Sequence, residues 1–191
     1  MVWKFLAAMF GFWLLSPAWA SETVYDLDPA HTQAMFSIDR FGFTSIFGVF
    51  AKSGGTVWLD ENRPERSRVS AWVTTDSLWS ADPERDGYLR GKDWLNSTAN
   101  PTLTFKSTRV VPTGASAANV TGDLTVFGQT RSVTFLVKLN KIGTDIVTRR
   151  RAAGFTLDGA ISRKQFGNQT ADSLIGDMVQ IRIEALAEQR L

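Results

Sequence analysis

His31 is the only histidine in the sequence and the first residue to consider for acid–base or metal chemistry. Asp26 and Asp28 are its near neighbours, so an imidazole–carboxylate pair can form. A single histidine in a chain without cysteine provides neither an ordinary zinc site nor a thiol nucleophile. Two interpretations stay open, a polar contact with a ligand and a side chain that stabilises the turn after Pro29. The sequence predicts no catalytic residue and no bound metal.

Two further groups of charged residues could form ion pairs or bind a ligand. Asp86, Arg90 and Asp93 are three to four residues apart, so their side chains can meet on one face of a helix. An ion pair is the simplest interpretation, and contact with the polar head of a ligand is the alternative.

Arg163 lies close to Ile161 and Phe166, and a buried arginine needs a partner. That partner is predicted to be either a ligand head group or an aspartate of the short helical segments that cap the fold.

Overall charge points to no polyanionic partner. The chain has 21 basic and 19 acidic side chains, a formal net charge of +2. The basic runs at 63–68 and 149–151 are interpreted as solvated turns, and no nucleic-acid partner is predicted. The sequence contains no glycine-rich phosphate loop, zinc-ligand spacing or nucleophile elbow. These observations favour a binding protein over an enzyme.

The first twenty residues have the pattern of an export signal. Lys4 precedes an apolar run from Phe5 to Leu15, and 18–20 read Ala-Trp-Ala, the small-x-small pattern of a cleavage site. We predict a cleaved signal peptide over 1–20, a single domain over 21–191 and a periplasmic location.

Apolar and polar residues alternate along most of the remaining chain, as in strands with one buried face. Runs centred on Phe36, Ala71, Phe105, Phe135, Phe155 and Ile181 show this period of two, separated by turn-rich stretches such as Ser53-Gly54-Gly55. The segment 80–95 is predicted to contain one or two short helices, and 169–175 a further helical turn. The pattern predicts an all-β fold, an antiparallel sandwich or closed barrel capped by short helices. Alternation alone does not distinguish a filled barrel from a hollow one.

Five segments, in order along the chain, resemble the YceI family of periplasmic lipocalin-like proteins. They are Asp28-Pro29-Ala30-His31 with the following Phe36 to Phe50 region, Asp86-Gly87-Tyr88-Leu89-Arg90 with Asp93-Trp94-Leu95, Asn100-Pro101 with Thr104 to Thr108, Gly122 to Gly128, and Arg163 to Gly167.

This resemblance implies an eight-stranded antiparallel lipocalin-like β-barrel with a hydrophobic cavity. It implies a cargo such as a polyisoprenoid, a quinone or an acyl lipid, and no cofactor. The predicted cavity residues are Phe36, Ile38, Val73, Leu89, Trp94, Phe105, Phe135, Phe155, Ile161 and Phe166.

The sequence departs from the family pattern where a head group would be recognised. Tyr88 stands where many relatives have histidine, and Arg40 precedes Phe41-Gly42-Phe43 where some have histidine. The predicted head-group residues are His31, Arg40, Asp86, Tyr88 and Arg163.

Two alternatives to a lipid carrier follow from the same residues. One is an envelope interaction or stress protein with a filled barrel and an exposed surface of Trp58, Trp72 and Trp79. The other is a lipid-acting enzyme, for which the sequence offers no convincing base. Transient contact with the membrane or an envelope protein, and a monomeric or homodimeric state, are compatible with either.

Overall fold

The computed structural model describes residues 22–191, and the predicted export signal lies outside them. Its strands are β1 (Thr23–Leu27), β2 (Gln33–Arg40), β3 (Thr44–Phe50), β4 (Ser53–Leu59), β5 (Arg68–Thr74), β6 (Leu78–Trp79), β7 (Thr102–Pro112), β8 (Ala117–Val126), β9 (Gln129–Thr144), β10 (Arg151–Ser162) and β11 (Ile175–Gln189). The α-helix α1 spans Pro83–Arg90, and short 3-10 helices span Pro64–Arg66, Thr75–Ser77 and Lys164–Phe166. No helix within 22–191 is long and apolar enough to cross a membrane.

The strands form one antiparallel sheet in the order β1-β4-β5-β7-β8-β9-β10-β11-β2-β3-β6, and a pairing of β1 with β11 closes it. β11 pairs along its first part with β2 and at its end with β1, so β1 and β2 act as one interrupted strand. β3 with β4, and β5 with β6, continue each other in the same way. Counted so, the sheet is the predicted eight-stranded antiparallel barrel, and that prediction is confirmed.

The glycines at the start of β4 let neighbouring strands approach closely. The sequence predicts a turn at Ser53-Gly54-Gly55, but these residues are the first three of β4. Gly55 has φ +151, and a Cβ there would lie 2.3 Å from the carbonyl oxygen of Ser70 on β5. A close approach, not a chain reversal, explains this glycine.

Inward side chains form two apolar clusters at opposite ends of the barrel. β11 runs from Val179, beside Ile161, to Ala187, beside Ala153, and so connects them. One cluster contains Tyr25, Val57, Leu59, Ala153 and Ala187, and the other contains Val126, Phe135, Ile161 and Phe166. Residues of both clusters line the barrel interior, so a cavity there runs from one end to the other.

The helical predictions are partly right. The segment 80–95 contains one helix, α1, which begins at Pro83 with Asp82 as N-cap accepting hydrogen bonds from the Glu84 and Arg85 amides. In the segment 169–175 the amides of Leu174 and Ile175 both donate to the Ala171 carbonyl, so the predicted helical turn is present as a single hydrogen-bonded turn and does not extend into a helix. The buried guanidinium of Arg163 shapes that segment by binding its carbonyl groups, as described below.

Candidate functional site

A cavity of about 530 Å³ occupies the interior of the barrel. Its wall includes residues of both apolar clusters, such as Leu59 at one end and Val126 at the other. Most of its lining side chains are aliphatic or aromatic. The volume lies within the range of about 300–1,000 Å³ typical of small-molecule sites. A filled barrel, the premise of the interaction alternative, is inconsistent with this interior.

The structure places nine of the ten predicted cavity residues on this wall. They are Phe36, Ile38, Val73, Leu89, Trp94, Phe105, Phe135, Phe155 and Ile161. Phe166 does not line the cavity, since it packs beneath the wall in the cluster with Val126 and is only 1% exposed. The 3-10 helix at 164–166 turns this ring into the packed end of the barrel.

Aromatic rings on the wall are held in place by glycines on neighbouring strands. Phe105 and Phe135 meet edge to face with their centroids 5.5 Å apart. A Cβ on Gly159 would lie 2.4 Å from Phe135, and one on Gly122 would lie 2.5 Å from Phe105. The two rings therefore lie against bare backbone, which keeps them close to the wall and out of the centre of the cavity.

The end of the barrel next to Phe166 is closed by a lid, defined as residues 91–100 with 163–174. Arg163 is its buried centre, only 3% exposed. Its Nε donates to the Gly176 carbonyl at 2.9 Å, one terminal nitrogen to Asn168 Oδ1 and the Thr170 carbonyl, and the other to the Ile175 carbonyl. The carbonyl oxygens of its own loop satisfy this guanidinium, so Arg163 has a structural role although it lines the cavity.

Of the two partners predicted for Arg163, the structure shows an aspartate of the capping segments. It is Asp172, at 3.7 Å, in the segment 169–175 and not in the segment that contains α1. The two parts of the lid are joined instead by Asn168 and Thr170, whose side chains both donate to the Asp93 carbonyl. The ring of Trp94 lies 5.8 Å from the Arg163 guanidinium carbon.

The other polar residues of the helical segment serve its own folding. Asp86 is buried and accepts hydrogen bonds from the amide and hydroxyl of Ser80, which fix α1 to the end of β6. Arg90 donates to the main-chain carbonyls of Asp86 and Asp76, so the predicted ion pair with the Asp86 carboxylate is not formed. Tyr88 is 65% exposed on the outer side of α1. Neither Asp86 nor Tyr88 lines the cavity.

His31 and Arg40 also lie away from the cavity. His31 is exposed, and its Nδ1 lies 2.5 Å from the Asp28 carboxylate, in agreement with the turn-stabilising interpretation. This hydrogen bond raises the pKa of His31. Burial works to raise the pKa of Asp28, but the bonds from His31 and the Ala30 amide outweigh it and lower that pKa. Arg40 is exposed beside the β2–β3 turn, with its guanidinium 4.2 Å from the ring centre of Phe41.

Polar residues that the sequence analysis missed surround an opening at the other end of the cavity. We call this opening the mouth; it lies between the β4–β5 connection, residues 60–67, and the β7–β8 turn, residues 113–116. Exposed residues of both segments line the cavity, among them Glu61 and Ala115, so the cavity reaches the surface here. Glu61 accepts two hydrogen bonds from Arg151, at 2.6 and 2.9 Å. Only the strand pairing brings Arg151 to Glu61, so no local sequence signal marks this site.

Apolar side chains are also exposed on the outside of the barrel, from the β2–β3 turn along β3 to β6. Phe43 is 89% exposed, Phe47 70% and Trp79 58%. Phe47 and Trp79 line a shallow outer groove with Val49, which pairs with Trp79. Trp58 is not part of this groove, since it lies on β4 with the Arg68 guanidinium carbon 4.4 Å from its ring centre.

Comparison with known proteins shows that the sequence of nearly the whole barrel is similar to that of a protein family. The YceI-like domain matches residues 25–187. A UPF0312 protein of Pseudomonas putida (strain GB-1) is 36% identical over 165 residues, which is 85% of each chain. Protein YceI of Shigella flexneri is 36% identical over 151 residues, 79% of this chain and 78% of that one.

Solved structures show the same fold at lower sequence identity. BcnA of Burkholderia cenocepacia superposes with a TM-score of 0.76 and 24% identity, over 84% of this chain and 98% of that one. A polyisoprenoid binding domain from Saccharophagus degradans, implicated in plant cell wall breakdown, superposes with a TM-score of 0.69 and 11% identity. That match covers 88% of this chain and all of the other.

Proposed function

The chain belongs to the YceI-like family, and from that membership we propose that it is a carrier that holds a long apolar molecule inside its barrel. The observation that carries the proposal is the cavity of about 530 Å³, enclosed by apolar strand faces and closed by the lid. The likeness in fold to a polyisoprenoid binding domain supports an isoprenoid, a quinone or an acyl chain as the cargo.

The size of the cavity limits how much of such a chain is enclosed. If each non-hydrogen atom takes roughly as much room as a water molecule in the liquid, about 30 Å³, the cavity of about 530 Å³ accommodates about 18 atoms. That corresponds to three isoprene units with a small head group, or to a fatty chain of similar length. Each buried methylene contributes up to about 0.8 kcal/mol, so affinity needs no covalent chemistry.

We propose no catalytic step for this site. Within residues 22–191, no three histidine, aspartate or glutamate side chains are grouped closely enough to hold a metal ion. The lone histidine is engaged with Asp28 outside the cavity, and Arg163 is saturated by carbonyl oxygens. These placements support a binding role. We place the carrier in the periplasm because residues 1–20 have the pattern of an export signal.

Native mass spectrometry of protein purified from its own cell envelope without detergent tests the proposal. We expect a stoichiometric excess of mass over the polypeptide, which solvent extraction releases as a neutral or amphipathic chain of about the size given above. Protein with the Ala71→Phe substitution described in the Discussion is the control and should carry less cargo.

A bare polypeptide mass, together with no binding of added prenols or fatty amides to the purified protein, would rule out the carrier function. The exposed groove between β3 and β6 would then direct the search toward a protein partner.

A further inference from the structure

The β2–β3 hairpin presents a group of exposed apolar side chains beside the lid. Phe43 lies at the tip of the hairpin, Phe47 follows on β3, and Trp79 lies on the neighbouring strand β6. Phe41 and Leu174 are exposed next to them, and the Phe41 amide donates a hydrogen bond to the Leu174 carbonyl. We call these five side chains the hairpin face.

The hairpin face is large for the surface of a monomer but small for a protein interface. At roughly 200 Å² for each side chain, exposed fractions from 40% for Phe41 to 89% for Phe43 give about 600 Å² of apolar surface. Exposed apolar patches of this size usually mark an interaction site. A stable interface with a second protein buries about 800 Å² on each partner. Complete coverage of the hairpin face would not reach that area.

The charged side chains around the hairpin face balance each other. Asp39 and Arg40 are both exposed and lie side by side at the end of β2. Arg85, which lines the outer groove, lies 3.7 Å from Asp82. An apolar surface without excess charge is suited to the hydrocarbon of a membrane, where an unpaired charge is costly.

The outer groove beside the hairpin face lies against the wall of the cavity. β6 pairs with only the last two residues of β3, so within residues 22–191 no strand pairs with 44–48 on the side away from β2. Met35 and Phe36 line both the outer groove and the cavity. The Phe36 ring lies against the bare backbone of Gly48, where a Cβ would overlap with it. An apolar chain in the outer groove would therefore contact residues that also form the cavity wall.

From these observations we propose that the hairpin face docks the protein on a lipid bilayer, with the Phe43 and Phe47 rings inserted among the acyl chains. Phenylalanine and tryptophan are the side chains that peripheral proteins bury at the boundary between head groups and hydrocarbon. Docking in this orientation brings the outer groove to the membrane. The inference rests on the proposed carrier function and adds the surface from which an apolar cargo is collected.

Flotation with vesicles of phosphatidylethanolamine and phosphatidylglycerol tests the docking. The test variant combines Phe43→Asp with Phe47→Asp. The matched control combines Ile146→Asp with Val147→Asp in the β9–β10 turn at the other end of the barrel, where these side chains are 80% and 83% exposed. We expect the control to bind vesicles like the wild type and the test variant to bind at least about tenfold more weakly. Because the face has balanced charges, added salt should change wild-type binding by less than about twofold.

Farnesol binding without vesicles separates the docking from the carrier function. Both double variants should bind farnesol within about twofold of the wild type, because none of the four substituted residues lines the cavity. Failure of the wild type to bind farnesol would contradict the carrier function itself.

Three outcomes would overturn the docking while leaving the carrier function in place. They are a wild type that does not float with vesicles, a test variant that floats like the wild type, and a control that loses binding as strongly as the test variant. A wild-type dimer that fails to float and that the hairpin substitutions dissociate would assign the hairpin face to a second copy of the chain.

Discussion

A larger side chain on one strand that fills part of the cavity should weaken cargo binding by an amount that follows from the volume of the added side chain. Ala71 lies on β5, opposite Gly55 of β4 and Phe105 of β7, and lines the cavity. Phenylalanine there adds six non-hydrogen atoms, or about 180 Å³ at roughly 30 Å³ each. That is about a third of the cavity of about 530 Å³.

The expected loss of affinity is large enough to measure directly. If the six displaced cargo atoms each contributed about 0.3 kcal/mol, the loss is about 2 kcal/mol, or about 20-fold in Kd. If each was a fully buried methylene worth about 0.8 kcal/mol, the loss is nearly 5 kcal/mol and exceeds about 1,000-fold. We therefore expect Ala71→Phe to raise the Kd for farnesol at least about 20-fold in a calorimetric titration.

The neighbouring residue on the same strand provides the matched control. Ser70 lies opposite Lys106 and does not line the cavity, so Ser70→Phe adds the same side chain on the outer face. Both variants should fold, and Ser70→Phe should bind farnesol within about twofold of the wild type. An unchanged Kd in a folded Ala71→Phe protein would refute the cavity as the binding site.

Three further predictions concern the stability of the barrel. Arg163→Gln should lower the free energy of unfolding by at least about 3 kcal/mol in urea titrations, because buried carbonyl groups lose their hydrogen-bond donor. A loss below about 1 kcal/mol would contradict the structural role of the Arg163 side chain. Gly159→Ala should lower the free energy of unfolding by about 1–3 kcal/mol, because the new methyl group overlaps with the Phe135 ring. Adding Phe135→Leu should recover part of that stability. Strictly additive effects of the two substitutions would argue against the contact. Asp28 raises the pKa of His31 above its usual 6.5. The stabilising effect of the His31–Asp28 pair is therefore fully present below pH 6.5 and is lost as the pH rises through the raised pKa. His31→Gln should remove this dependence, and an unaltered pH profile of unfolding would show that the pair contributes nothing.

The barrel was predictable because its strands carry their own signal. Alternation around Phe105, Phe135 and Phe155 sets the inward face of each strand, and a closed antiparallel sheet then brings those faces together. The same period explains why nine of the ten predicted residues lie on the cavity wall. Phe166 differs because it belongs to a 3-10 helix, where the alternation of apolar and polar residues does not predict which way a side chain points.

The polar residues were not predictable in the same way. The sequence shows that Arg163 and Asp86 are polar but not that they meet the carbonyl groups of the lid loop and Ser80. His31 differs because its partner, Asp28, lies three residues before it in the sequence. The mouth depends on pairs separated by long stretches of chain, such as Glu61 with Arg151, which only strand order brings together. Such contacts leave no pattern in a single sequence.

Photo-crosslinking tests most directly whether the apolar chain is held inside the barrel. A farnesol analogue with a diazirine at the end of its tail is bound, irradiated and mapped by peptide mass spectrometry. We expect adducts on residues of the cavity wall, such as Phe105, Leu124 and Leu157. Adducts concentrated on the exposed side chains Phe43, Phe47 and Trp79 outside the barrel would contradict the carrier function and point to the outer surface as the binding site.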